Sequence, residues 1–494
     1  MAGTKGSRRV EIVRFGTLLL FLSACLLFGG GSRTDIQSLA LLQPFAVICI
    51  AVFLFTPGAI ELKAVKSPLL FLGTVALLMT AQLIPLPPAL WTRLPGQGQY
   101  AAVAAAVGIE QPWRSISLAP DLTLASLVGL VTPIAVLIGF AAVSVEHRRQ
   151  LLSLFIVAVA VSTLLGLAQL AGGPESPFYF YDITNRGLPV GLFSNRNHQA
   201  LFLAMAWPML AAWATLPAEP RFYSAKRWVV MSLGVFLIPM LLVTGSRAGL
   251  ALGVLALMVA FVFWRRGTPP PGESPSRWSR LLMPTAVAAA IFVIAASIVL
   301  SRDSAVQRIM GMSFDQEGRI EYLPTILRIA RDFFPVGAGF GGFDPLFRSY
   351  EPFDLLIPAY LNHAHNDLVE LIISGGLPAL AILLAFLGWL GRKAHVILRS
   401  GDGGRTALFA QLGLFVIASL LLASLVDYPL RTPLMEAFFA VACGWVSSYE
   451  GRDSGSQRLR AGENALPNGT SPIGSRVAAS GPTRRTDKLK WIWR

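Results

Sequence analysis

Two of the protein's five histidines, His363 and His365, are separated by one residue and lie at the end of its longest polar stretch. This stretch, residues 301–367, separates long apolar runs and leads directly into the next run, residues 368–390. An imidazole accepts or releases a proton near neutral pH, so the pattern predicts proton transfer here. A His-x-His pair beside Asp367 is also typical of some metal sites. Because alternate residues at a helix start point roughly 200° apart, we expect no metal.

Two arginines are candidates for binding an anion. Arg247 lies between two apolar runs with almost no loop, and a charge at that depth is costly unless it faces a polar cavity. Its alternative role is to extend toward lipid headgroups. Arg319 begins a predicted amphipathic helix between Glu317 and Glu321, so a surface ion pair is equally consistent with its position. A guanidinium is suited to bind phosphate oxygens in a bidentate manner, but a general preference for arginine in this sequence explains the outer arginines equally well.

Asparagines stand at two predicted helix starts. Asn366 and Asp367 precede one apolar run and are suitable N-cap residues. Asn195 and Asn197 precede another run, where they would either cap the helix or bind sugar hydroxyls. We include Asn195, Asn197, His363 and Asn366 as candidate substrate-binding residues.

The elements that position these residues are membrane helices. Of the 494 residues, 54% are hydrophobic and only 14% are charged, and the mean hydropathy is +0.60. Such a chain is solvated by lipid, and apolar runs of roughly 20 residues cross a bilayer as helices. The expected fold is an all-α polytopic membrane protein with about twelve spans. They are centred on residues 15–31, 38–55, 68–86, 122–143, 151–171, 199–216, 228–244, 249–264, 281–300, 368–390, 406–426 and 433–448.

The basic residues indicate how the chain is oriented. If the spans alternate, most of the 41 Lys and Arg residues share one side with the N-terminus. The positive-inside rule then places both termini in the cytoplasm and residues 301–367 outside. The net charge of +14 therefore reports topology, and no soluble domain remains to bind nucleic acid. The three cysteines lie in apolar runs and predict no disulfide.

This topology divides the chain into five parts. Residues 1–14 form a cytoplasmic segment, and 15–300 hold the first nine spans. Residues 301–367 form the outer insertion, 368–448 hold the last three spans, and 449–494 form a cytoplasmic tail of disordered composition.

The outer insertion contains two local patterns. Residues 318–334 have helical spacing, with one apolar stripe at Ile320, Leu323, Leu327, Ala330 and Phe334. The glycine-rich run 336–343 is preceded by no strand, so it predicts tight turns where the backbone approaches a neighbour or ligand, and not a nucleotide site.

Several stretches resemble the O-antigen ligase and Wzy-type polymerase superfamily of bacterial glycan enzymes. They are residues 191–200, 242–250, 318–324, 334–340 and 363–378. The resemblance implies a bundle like that of C-type glycosyltransferases, with a large periplasmic insertion, in the bacterial inner membrane. It implies a donor glycan on undecaprenyl diphosphate and an acceptor that is lipid A–core or another glycan, with no metal or other cofactor. By the same resemblance Arg247 and Arg319 bind the diphosphate, and His365 lies on the acceptor side.

A transporter, such as a flippase of lipid-linked oligosaccharide, is the competing class. A flippase is expected to distribute polar groups along an inner cavity that opens to either side. Here the polar candidates concentrate at the outer ends of spans, which favours an enzyme.

Overall fold

The computed structural model describes residues 2–33, 36–217, 219–266, 314–356 and 361–451. The described chain is helical, and the β pairing seen in it is a single bridge between Leu86 and Arg114. The predicted span 281–300 and nearly all of the predicted tail 449–494 lie outside the described residues. The helices are α1 Ala2–Phe28, α2 Leu39–Phe55, α3 Lys66–Leu83, α4 Pro88–Trp91, α5 Gly98–Ala106, α6 Pro120–Gly129, α7 Val131–Ala142, α8 Val145–Gly172, α9 Arg196–Thr215, α10 Pro220–Val243, α11 Arg247–Arg266, α12 Phe314–Phe333, α13 Phe343–Arg348, α14 Asp367–Arg399, α15 Arg405–Ala423 and α16 Pro433–Ser447.

Length and apolarity confirm an all-α polytopic membrane protein. Eight described helical segments are long and apolar enough to cross a bilayer. They are Arg8–Phe28, Leu62–Leu83, Pro120–Ala142, Val145–Gly172, Ala225–Val243, Arg247–Arg266, Asp367–Arg399 and Arg405–Ala423. Leu39–Phe55 and Pro433–Ser447 are shorter apolar helices. The count of twelve spans stays a prediction.

Helix α9 forms the centre of the bundle. Nearly every residue from His198 to Ala212 is buried, because α9 packs against α8, α10, α11 and α15. A helix that is apolar on all sides is stable only when it is surrounded in this way. Small residues bring α11 close to it, since Gly249 faces Ala200. The first turns of α9 and α11 therefore lie at the same end of the bundle.

Buried arginines mark the opposite end, which we call the basic end. Arg14 donates hydrogen bonds to carbonyl groups at and just beyond the C-terminal ends of α2 and α7. Arg148 donates from Nε to Phe140 O at 2.8 Å and pairs with Glu61 at 2.7 Å. Cations suit helix C-termini, where carbonyl groups lack partners within the helix. We call the other end, which carries the starts of α9, α11 and α14, the loop end.

The helix of the outer insertion begins earlier than its spacing predicts. It runs over Phe314–Phe333 and not over residues 318–334. Of the predicted stripe, Leu323, Leu327 and Phe334 are exposed. The buried face instead carries a different row, which packs against α13 and α14 and which the spacing did not predict. This row is Tyr322, Ile326, Ile329 and Phe333.

The glycine-rich run lies against a break in α14. Gly376 has φ of +56° and interrupts the helix. The freed carbonyl groups accept hydrogen bonds from the run: Ala338 N donates to Ile373 O at 2.8 Å and Gly339 N to Ser374 O at 3.0 Å. Leu377 N donates to Pro335 O at 2.8 Å in return. The predicted close backbone approach is confirmed, and the neighbour is α14.

Replacing Gly376 by alanine should destabilise the protein. An L-residue in the left-handed region costs roughly 1–2 kcal/mol, and a β-carbon at Gly376 would collide with Pro335 O. We expect Gly376→Ala to lower the midpoint of thermal unfolding in detergent by a few degrees. Gly388 lies in the same helix with open space around it, so Gly388→Ala should leave the midpoint unchanged. Equal midpoints for the two variants would contradict the backbone contact.

Candidate active site

The turn that carries the paired histidines is fixed at the start of α14. The side chain of Asn366 accepts a hydrogen bond from Val369 N at 3.1 Å and so caps the helix. Asp367 N donates to Ser424 O at 2.8 Å, which attaches the turn to the segment between α15 and α16. The predicted capping by Asn366 is confirmed, and its part in substrate binding stays a prediction.

His365 is held in an uncommon backbone conformation. Its φ is +51°, a value that few residues other than glycine adopt. The side chain is 11% exposed, and Nδ1 lies 3.5 Å from the Oδ1 atom of Asp427. Within the described chain this Nδ1 makes no hydrogen bond. The carboxylate of Asp427 therefore faces the imidazole of His365, but no hydrogen bond determines which ring nitrogen of His365 carries the proton.

Asp427 connects two helix starts and was not predicted from the sequence. It is buried in the segment between α15 and α16, and its Oδ2 atom accepts a hydrogen bond from Asn197 Nδ2 at 2.7 Å. His198 Nε2 lies 4.0 Å from its Oδ1 atom. A buried carboxylate is retained only where donors surround it. The first turn of α9 and the start of α14 thus meet at this side chain.

Asn195 caps α9 by accepting a hydrogen bond from Asn197 N at 2.8 Å. Of its two predicted roles, capping is the one the structure shows, and sugar binding stays a prediction. The side chain of Asn197 is directed to Asp427, so this residue orients a charged group of the site.

His363 belongs to a second charged group. Its Nδ1 atom lies 3.0 Å from Glu370 Oε1, and Glu370 also accepts from Ala364 N at 2.9 Å. Arg431 Nη2 lies 3.2 Å from Glu370 Oε1, and Arg431 Nε lies 3.1 Å from Asp367 Oδ1. Burial would lower the pKa of Arg431, but the carboxylates of Glu370 and Asp367 raise it above its ordinary value. Arg431 therefore keeps its charge and holds both carboxylates.

Tyr428 lies at the centre of three imidazoles. Its ring centroid is 4.6 Å from that of His363, 4.9 Å from that of His365 and 5.4 Å from that of His198. We call these four residues the His–Tyr cluster. His198 lies within residues 191–200, one of the stretches that carry the resemblance, but it was not predicted as a site residue. Tyr428 has no comparable signal, because it lies in a short connection that is distant from the paired histidines along the chain.

Arg247 is the first residue of α11 and stands at the same loop end. Its side chain is exposed and has no hydrogen bond or ion pair within the described residues. The guanidinium of Arg196, from the first turn of α9, approaches the same turn: its Nη1 lies 3.6 Å from the position of a β-carbon on Gly245. Residues 196–198 thus reach the turn before Arg247 on one side and Asp427 on the other.

The remaining predicted residue, Arg319, lies in α12, and its side chain is outside what the structure describes. Its backbone belongs to a helix that packs on α14. No group of three or more His, Cys, Asp or Glu side chains in the described ranges is arranged to hold a metal ion.

The family model described as O-antigen ligase matches residues 232–384. This stretch is an O-antigen ligase family domain. It includes Arg247, Arg319, His363 and His365, so the resemblance is confirmed over this part of the chain. Asp427 and Arg431, which the geometry adds, lie beyond the matched residues of the ligase-family domain. No protein of curated function matches the chain.

Arg431 should matter to stability more than a surface cation does. Its side chain is 26% exposed and pairs with two carboxylates, so its removal leaves both without a cation. We expect Arg431→Gln to lower the free energy of unfolding by about 2–4 kcal/mol. Arg348→Gln breaks an exposed pair with Asp344, and its cost should be below about 1 kcal/mol. Denaturant unfolding in detergent measures both, and similar losses would contradict the assignment.

Proposed function

We propose that the protein is a membrane glycosyltransferase of the O-antigen ligase or polymerase type. It transfers glycan from undecaprenyl diphosphate to a sugar hydroxyl of lipid A–core or of another glycan, at the periplasmic face of the bacterial inner membrane. The observation that carries the proposal is the position of the first turn of α9, which approaches Gly245, two residues before Arg247, and also contacts Asp427 beside His365. Arg247 and the paired histidines, His363 and His365, all lie within the residues that match the ligase family.

The donor's diphosphate is the proposed ligand of Arg247. Breaking the glycosidic bond adds negative charge to a group that is already anionic, and a fixed guanidinium stabilises that charge. The exposed side chain of Arg247 is able to reach a ligand at headgroup depth. We assign Arg319 the same role through the resemblance.

An apolar cavity supports a lipid-linked donor. It has a volume of about 230 Å³ and is lined mainly by side chains of α3, α7, α14, α15 and α16. Leu371 and Leu430 at its wall are direct sequence neighbours of Glu370 and Arg431 in the site. We propose that part of the prenyl chain lies here, since an apolar chain gains dispersion contacts where it packs closely against apolar side chains.

The reaction proceeds by direct displacement. The acceptor hydroxyl oxygen forms a bond to the anomeric carbon, and the bond from that carbon to the diphosphate oxygen breaks, with its electron pair leaving on the diphosphate. An imidazole of the His–Tyr cluster accepts the hydroxyl proton, which typically accelerates such a step by roughly 10²–10⁴-fold. His365 contacts the acceptor. Attack opposite the leaving group inverts the anomeric carbon.

Arg247→Ala and His365→Asn should each abolish glycan transfer while the protein remains inserted. The first removes the diphosphate contact and the second the acceptor contact; asparagine tolerates the positive φ at position 365. Arg265→Ala is the matched control, because Arg265 lies at the other end of the same helix. The measurement uses purified protein, labelled undecaprenyl-diphosphate glycan and lipid A–core. Transfer at the normal rate by either variant would remove that residue from the site.

The same assay separates the acceptors and the competing class. Longer lipid-linked chains identify a polymerase, and labelled lipid A–core identifies a ligase. In sealed vesicles, movement of the donor between leaflets without any new glycosidic bond identifies a flippase and refutes the proposed transfer.

Cysteine labelling tests the proposed orientation. The three native cysteines are buried, so a single introduced thiol reports alone. Phe353 in the outer insertion is 86% exposed, and Glu146 at the basic end is 75% exposed. A membrane-impermeant maleimide should label Phe353→Cys in intact spheroplasts and Glu146→Cys only after permeabilisation. The reverse pattern would overturn the periplasmic location of the site.

A further inference from the structure

The two imidazoles of the paired histidines differ in what holds them. Nδ1 of His363 lies 3.0 Å from a carboxylate oxygen of Glu370 in hydrogen-bonding geometry. Nδ1 of His365 has no hydrogen bond within the described residues. A proton acceptor works best when one ring nitrogen is fixed as a donor and the other is left with its lone pair. Only His363 therefore has the hydrogen bond that a proton acceptor requires, and this difference distinguishes the two neighbouring histidines.

Glu370 is anionic in this arrangement, which decides the direction of its bond to His363. Ala364 N donates to its Oε2 atom at 2.9 Å, and the guanidinium of Arg431 lies 3.2 Å from its Oε1 atom. Donors on both oxygens favour the carboxylate over the carboxylic acid. A carboxylate only accepts hydrogen bonds, so Nδ1 of His363 carries the proton. In the neutral ring Nε2 then holds the lone pair.

Nε2 of His363 is also open to a substrate. None of the described residues hydrogen-bonds this atom, and it is not among the fully buried polar atoms. The ring rests against Tyr428, with centroids 4.6 Å apart, which limits its orientation. The ionisable groups that surround the site are Glu370, Asp367, Arg431, Asp427, Tyr428, His198 and His365.

We propose that His363 is the catalytic base for the acceptor hydroxyl, and that Glu370 and Arg431 are its positioning residues. The inference rests on the proposed function and names the imidazole that the reaction uses. The proton of the acceptor hydroxyl moves to Nε2 as the hydroxyl oxygen bonds to the anomeric carbon and the diphosphate leaves with the electron pair. The imidazolium that forms is stabilised by the carboxylate of Glu370, and Arg431 keeps that carboxylate in place.

His363→Asn is the sharpest variant. The asparagine amide takes the position of Nδ1 and still donates to Glu370, but nothing replaces Nε2. In single-turnover transfer from labelled undecaprenyl-diphosphate glycan, we expect the rate near neutral pH to fall roughly 10²–10⁴-fold. The fall of the rate toward acid pH should disappear, while binding of the donor, measured by filtration, stays within about threefold of the wild type.

Glu370→Gln tests the positioning role separately. Without the negative charge beside the ring, protonation of the imidazole is less favourable, so the acid limb of the pH–rate profile should move to lower pH. Arg431→Lys keeps a cation and should retain a larger share of the rate than Arg431→Gln. A residue that acts only in folding would change the amount of active enzyme and leave the pH profile in place.

His147 provides the matched control, because its Nδ1 also lies 3.0 Å from a carboxylate, that of Glu11, at the basic end. His147→Asn should transfer at the wild-type rate. Wild-type turnover together with an unchanged acid limb in His363→Asn would overturn the inference and leave the proposed function standing. Loss of transfer in His365→Asn together with transfer near the wild-type rate in His363→Asn would assign the base to His365 and likewise overturn it. Absence of any transfer by the wild type would instead refute the proposed function.

Discussion

The site depends on one buried carboxylate. Asp427 accepts a hydrogen bond from Asn197 and faces His365, so it joins the first turn of α9 to the start of α14. Removing a carboxylate from water is costly, and the cost is offset only when donors from more than one element converge on it. This requirement fixes the relative positions of helix starts that are more than 150 residues apart in the chain. The contacts of Asp427 therefore hold the first turn of α9, which carries Arg196 and His198, next to His365.

The two ends of the bundle use charge in different ways. At the basic end, arginines satisfy carbonyl groups of helix termini, and their donors are consumed by the fold. At the loop end, Arg431 holds carboxylates while Arg247 is left exposed. An arginine whose N–H groups already donate to backbone carbonyl groups has few donors available for a ligand. This difference agrees with a site at the loop end, where the paired histidines also lie.

The sequence was sufficient for the all-α membrane class, because lipid forces a backbone to satisfy its own hydrogen bonds and long apolar runs then form helices. It was also sufficient for His363, His365 and the capping by Asn366, since polar residues at the start of an apolar run are conspicuous. Asp427 and Arg431 were missed because each is a single charge in a short connection between two apolar spans. Nothing local distinguishes them from ordinary loop residues, and their partners come from α9 and α14.

The break in α14 escaped prediction for a related reason. Residues 368–390 read as one apolar run, and Gly376 interrupts it only because segment 334–339 supplies donors for the freed carbonyl groups. The spacing within α12 likewise identified an apolar stripe but not the row that packs inward. Both features are set by tertiary contacts that periodicity does not contain.

The backbone exchange between segment 334–339 and the interrupted α14 means that the insertion and this membrane helix have to be inherited as one unit. Gln82 of α3 also donates to Ser374 O at 2.9 Å, so a third element completes the exchange. A chimera that grafts a foreign insertion onto this bundle would leave Ile373 O without a donor and Leu377 N without an acceptor. Ser374 O would keep only the hydrogen bond from Gln82. In a lipid environment each unsatisfied backbone group is costly. Recombination boundaries that preserve the fold should therefore fall outside residues 334–377, and changes in acceptor choice should arise by substitution within the insertion more readily than by its replacement.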